Sequence, residues 1–135
     1  MSWDREPMKR TIMRSPLGQA SGLGMARHGV EHWWRLRVTA IALVPLTVWF
    51  VTSALVHTGS DYSAVIAWLR TPLVTWLVLL TLIALFAHTA LGLQVVIEDY
   101  MHSGAKFVVL IAMQLSCFGL AVVGIAALLR IALGG

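Results

Sequence analysis

The sequence predicts an all-α membrane protein with three transmembrane helices and a basic N-terminal cytoplasmic segment. Three observations predict it. Charged residues make up 12% of the 135 positions and hydrophobic ones 59%, about half the charged share of a soluble domain. Three stretches, Val38 to Val56, Pro72 to Ile97 and Phe107 to Leu129, run for 19, 26 and 23 residues without Asp, Glu, Lys or Arg, where a helix needs roughly 20 apolar residues to cross a hydrocarbon core. Eight of the ten Lys and Arg precede the first stretch or separate the second from the third, and only Arg70 and Arg130 lie elsewhere. Basic residues collect on the cytoplasmic side of membrane proteins. The N-terminus and the loop after Tyr100 are therefore expected in the cytoplasm, and the 58–70 connection and the C-terminus outside.

The apolar stretches use 68 of the 135 positions, which leaves no room for a soluble catalytic domain. The expected organisation is an N-terminal segment over 1–33 and a membrane anchor domain over 34–135, with spans at about 36–57, 72–99 and 106–130. Residues 1–33 carry Gly18, Gly22, Gly24 and Gly29 among charges and have no apolar core, which excludes a secretory signal peptide. They read as a flexible basic tail against an anionic membrane surface, or as an extended arm laid on a soluble partner. The lone Cys117 lies inside the third span, so no intrachain disulfide can form.

Each span has its own signature. Trp33 and Trp34 suit the headgroup belt, and Arg35 and Arg37 stop just before hydrocarbon, so the first helix enters there. Pro45 cannot donate to the carbonyl of Ile41, which predicts a kink. The connection after it holds Val65, Ile66, Trp68 and Leu69, an apolar set for a short interfacial helix, and His57 beside it reads as an ordinary interfacial histidine. In the third span Ala112, Ser116 and Gly119 form a small-residue stripe suited to close helix packing within the bundle, and Gln114 reads as a buried amide in need of a partner.

The second span carries the chemistry. Its single titratable residue is His88, and Glu98, Asp99 and Tyr100 close it. If Asp99 marks the water boundary, His88 lies eleven residues deeper, or roughly 16 Å, near the midplane. At about 100° per residue, His88, Gly92, Val95 and Asp99 share one face, the stripe expected where something flat and polar-edged docks. Ionisable groups at membrane depth are costly and face a cavity, a partner or a cofactor. Three readings stand: a hydrogen-bonded packing residue, an axial metal or haem ligand, and a proton-transfer group. The first and third spans offer no carboxylate for a relay, and no second His or Cys stands at zinc-ligand spacing. A haem held by two imidazoles would need its second from another chain, because His28, His32, His57 and His102 all lie at other depths.

Two segments, HWWRLRVTA from His32 with the VPLTVWF that follows it, and HTALGLQVVIEDY from His88 to Tyr100, resemble the small hydrophobic membrane anchor of bacterial succinate dehydrogenase, respiratory complex II. The likeness covers roughly residues 25 to 130, and the second motif agrees with the family pattern without a gap. The resemblance implies a four-subunit complex in the bacterial inner membrane: a flavoprotein that oxidises succinate, an iron–sulfur subunit, and two anchor subunits that hold haem b and reduce ubiquinone. By motif position it implies that His88 is a haem b axial ligand, with the other from the second anchor subunit. Tyr100 would bond a quinone carbonyl, Asp99 would be its neighbouring acid, and Arg37 would stand near the haem propionates. The alternative is a haem-free structural anchor of a quinol:fumarate reductase or another respiratory complex. A transporter or channel subunit is excluded by the lack of a polar stripe through the spans.

The charge distribution makes the topology testable. Single cysteines replacing Ser15 and Gly135, labelled from outside intact cells, should react only at position 135. Labelling at position 15 alone would invert the orientation.

Overall fold

The computed structural model describes the backbone of residues 16–135 and the side chains of residues 29–135. The described chain contains helices and no strand: α1 (Pro16–Val56), α2 (Tyr62–Leu69), α3 (Pro72–Tyr100) and α4 (Ala105–Ala132). Three stretches are long and apolar enough to cross a bilayer, Gly29–Val56, Pro72–Tyr100 and Ala105–Ala132. The chain divides into two compact units, Met1–Trp33 and Trp34–Gly135. The expected all-α membrane architecture with three spans is what the chain adopts.

The N-terminal segment departs from expectation where it is described. Helix α1 begins at Pro16, so residues 16–33 are helical and neither a flexible tail nor an extended arm. Glycine costs an interior helical position about 1 kcal/mol relative to alanine, which argued against this helix, but proline at the first helical position favours its start. The remainder of the expected tail, residues 1–15, lies outside the described residues. Pro45 sits inside α1 without ending it.

Within the unit from Trp34 onward, α1 and α3 run antiparallel, joined through α2. Gly59, at φ +87°, takes the left-handed conformation that lets the chain leave α1 sharply. The interfacial helix α2 forms over the expected apolar set. Trp68 on α2 stacks on Trp49 at 6.3 Å and on His57 at 4.6 Å between ring centroids, and His57 Nδ1 lies 2.8 Å from the Ser53 carbonyl. This is the packing role the sequence assigned to His57. Thr71 in extended conformation and Pro72 at the first helical position then start α3.

Helices α3 and α4 form a hairpin around residues 101–104. Lys106 Nζ reaches the Glu98 carbonyl at 3.4 Å, placing a cation on the carbonyl end of α3, where the helix dipole favours it. At the other end Arg70 Nε donates to the Ile131 carbonyl at 3.0 Å, which serves α4 in the same way. Only Val74 (8% exposed) and Leu128 (5%) are buried among the described residues, and both lie at this α2 end. Most large apolar side chains face outward, as a lipid-facing protein requires.

Two expectations about α4 are corrected. The Ala112, Ser116, Gly119 stripe is exposed, and a Cβ on Gly119 would meet nothing within 4 Å. The glycine that meets α3 is Gly124, where a Cβ would stand 3.7 Å from both Leu82 methyls. Gln114 is exposed rather than buried, and it lines an apolar groove of about 410 Å³ between α3 and α4 together with Gln94. A small-residue stripe states that something can approach it but not which helix does.

Because the packed core is so small, its members should matter unequally. Leu128→Ala should destabilise the hairpin by about 2 kcal/mol, the low end for a buried leucine, because lipid supplies no hydrophobic drive between helices. Leu133→Ala, at an 85% exposed position, should change little. Thermal unfolding in detergent, read by circular dichroism, distinguishes the two.

Candidate functional site

The site is built where α1 and α3 cross. His88 is half-buried on α3, and its Nδ1 lies 3.1 Å from Thr39 Oγ1 on α1. The same hydroxyl is 3.0 Å from the carbonyl oxygens of Arg35 and Leu36. Threonines in spans commonly return their hydroxyl to the preceding turn. Thr52 and Thr81 do so here, to Val48 and Leu77 at 2.8 and 2.7 Å. Thr39 combines that local bond with a contact to the neighbouring helix. His88 Nε2 makes no hydrogen bond among the described residues and is not among their enclosed polar atoms. The second ring nitrogen is therefore presented at the surface of the chain.

The pairing sets the height of the imidazole. Thr39 stands 17 residues from the end of α1 at Val56, and His88 stands 16 from the start of α3 at Pro72, so each is roughly 25 Å from the α2 end at 1.5 Å per residue. Thr39 follows Arg37 by two residues, a rise of about 3 Å. The charged boundary on α1 thus lies close to the height of His88, whereas Asp99 on α3 lies roughly 16 Å from it. The two helices mark their polar ends at different heights beside one imidazole. Around α1, Arg35 is about 40° from Thr39 and Arg37 about 160° from it.

The remaining expected site residues are separated from His88. Tyr100 is the last residue of α3 and is 83% exposed. Asp99 beside it is exposed, and neither side chain makes a hydrogen bond among the described residues. The acid that is engaged is Glu98, which accepts from Gln94 Nε2 at 2.9 Å. On the face between His88 and Asp99, a Cβ on Gly92 would meet nothing within 4 Å, so the stripe faces space this chain does not fill. His88 does not line the α3–α4 groove. Among the described residues no three His, Cys, Asp or Glu side chains come together to hold a metal ion, so any metal bound through His88 takes a single ligand from this part of the chain.

Thr39 is the site residue that reading the sequence missed, having entered only within a motif. The signal available was depth: counted from the two ends of the α1–α3 connection, Thr39 and His88 come out level.

Three membrane-crossing helices with a single imidazole presented from their midst, and no catalytic centre of their own, define a multi-pass membrane anchor that lends side chains to a larger assembly. The family model for the succinate dehydrogenase/fumarate reductase transmembrane subunit matches residues 11–121. Similar proteins include three succinate dehydrogenase hydrophobic membrane anchor subunits. That of Paracoccus denitrificans is 31% identical over 122 residues, covering 89% of this chain and 93% of the relative. That of Rickettsia conorii is 31% identical over 106 residues, covering 77% and 84%, and that of Rickettsia bellii 36% identical over 88 residues, covering 65% and 70%. No solved structure matches the chain. The chain belongs to the succinate dehydrogenase/fumarate reductase transmembrane subunit family. It is a membrane anchor subunit that works in a complex with other subunits and is not catalytic alone.

Proposed function

We infer that this subunit contributes one axial ligand to a haem b and part of a ubiquinone-reduction site, in a complex that passes electrons from succinate to quinone. The observation that carries the reading is the division of labour on His88: Nδ1 is occupied by Thr39, and Nε2 is left without a partner at membrane depth. An imidazole with one nitrogen anchored and the other presented is the arrangement of a metal ligand, and it fits a haem shared with a second anchor subunit that supplies the other imidazole. The unfilled space at Gly92 leaves room for a flat group or for the partner helix beside it. A bound haem would supply a one-electron carrier within the membrane. Arg37, and on the Thr39 face Arg35, bring positive charge to the height where its propionates would meet water.

At the end of α3, Tyr100 would donate its phenol hydrogen to a quinone carbonyl as negative charge develops there on reduction. Its exposed ring at the end of an apolar helix suits a headgroup entering from lipid. Asp99 would orient that tyrosine or carry protons from the adjoining water. With the N-terminus in the cytoplasm of a bacterial inner membrane, as the distribution of Lys and Arg favours, those protons come from the cytoplasm. The iron–sulfur and flavoprotein subunits then dock on the same side.

His88→Ala should reduce haem b in the purified complex to background while Cys117→Ala leaves it unchanged, as read from the reduced-minus-oxidised absorption spectrum. An unaltered spectrum in His88→Ala would return the chain to a haem-free anchor.

Tyr100→Phe should lower succinate-driven quinone reduction about 10-fold, the worth of one donor hydrogen bond of about 1.4 kcal/mol, while succinate oxidation by a soluble artificial acceptor persists. Asp99→Asn should act in the same direction. Unchanged quinone turnover and apparent quinone affinity in Tyr100→Phe would make the tyrosine an interface anchor only.

A further inference from the structure

We propose that Thr39 is the positioning residue for His88: it fixes the ring tautomer and plane so that Nε2, and not Nδ1, is offered to the iron. The proposal rests on the haem-ligand reading of His88.

The geometry settles which atom carries which proton. A threonine hydroxyl has one hydrogen and two lone pairs. Thr39 Oγ1 lies 3.0 Å from two carbonyl oxygens of its own helix, and a carbonyl can only accept. The hydroxyl hydrogen goes to that pair, so the contact of 3.1 Å to His88 Nδ1 is made by the ring N–H donating to a lone pair of Oγ1. Nδ1 is then protonated and Nε2 carries the free lone pair. The chain of bonds runs from the ring N–H of His88, through the Thr39 hydroxyl, to the backbone of the turn that bears Arg35.

Two consequences follow for the bound group. Ligating histidines donate their other N–H to an acceptor, which holds the ring plane and raises the basicity of the ligating nitrogen. A more basic imidazole favours ferric over ferrous iron, so the bond to Thr39 lowers the haem midpoint potential. The acceptor is on a different helix from the ligand, so the orientation of the ring also depends on the height at which α1 packs against α3.

The test uses the complex purified from membranes, with Thr39→Val, which keeps the shape and removes the hydroxyl, and Thr39→Ser, which keeps the hydroxyl. In Thr39→Val the haem midpoint potential should rise, the low-spin ferric EPR signal should shift as the imidazole plane is released, and haem should pass to added apomyoglobin about 10-fold faster. Thr39→Ser should restore all three toward the parent. Parent-like potential, EPR signal and haem transfer in Thr39→Val would overturn the proposal, and so would Thr39→Ser moving as far as Thr39→Val. If Thr39→Val does not assemble, Thr39→Ala takes its place with the same expectations and the same overturning result. His88→Ala separates the two levels of inference. Haem lost there but indifferent to Thr39 removes only the positioning role, whereas haem retained in His88→Ala removes the ligand reading beneath it.

Discussion

An imidazole surrounded by hydrocarbon must be given a hydrogen-bond partner or it destabilises the helix that carries it. In this anchor that requirement is met across a helix pair, by Thr39 on α1. A side-chain bond between helices does more than satisfy a polar atom. Apolar ridges tolerate sliding, and lipid gives no net hydrophobic drive to hold one register over another. One directional bond, together with the stack of His57 and Trp49 on Trp68 at the α2 end, sets the height of α1 against α3. The height of α1 in turn sets where its arginines stand relative to His88.

The spans were legible in the sequence because the bilayer removes the usual ambiguity between helix and strand. A single uncharged run of such length can satisfy its backbone in lipid only as a helix. His88 was legible for a related reason, since a lone titratable residue in such a run is conspicuous. Facing was not legible. Ala112, Ser116 and Gly119 and the amide of Gln114 were read as interior, yet the chain turns them outward and brings Gly124 against Leu82 instead. Which stripe of α4 meets α3 depends on the hairpin at 101–104 and on the carbonyl contacts of Lys106 and Arg70, and no periodicity within α4 contains that information. The helix before Trp34 was missed because glycine content was weighed and helix propagation from the adjoining span was not.

The outward faces also explain why the similarity to anchor subunits points to an assembly. With Val74 and Leu128 alone buried among the described residues, the chain encloses almost nothing by itself. The small stripe of α4 is shaped for another helix, and the unfilled side of Gly92 borders the ring nitrogen that Thr39 leaves exposed. The incompleteness is local and patterned, and it matches an anchor whose surfaces are finished by its neighbours.

Tight packing is confined to the α2 end, where Val74 and Leu128 meet and Arg70 ties to Ile131. A rod gripped near one end turns small tilts into large displacements at the other. With the pivot at Pro72, a tilt of α3 by about 10° would move His88 by roughly 4 Å and Tyr100 by roughly 7 Å, from the rise of 1.5 Å per residue. The first is on the scale of the thickness of a planar macrocycle, and the second is on the scale of a quinone ring. The lever arm therefore grades the chain from fixed to adjustable along a single helix, with the two groups that meet foreign molecules at its moving end.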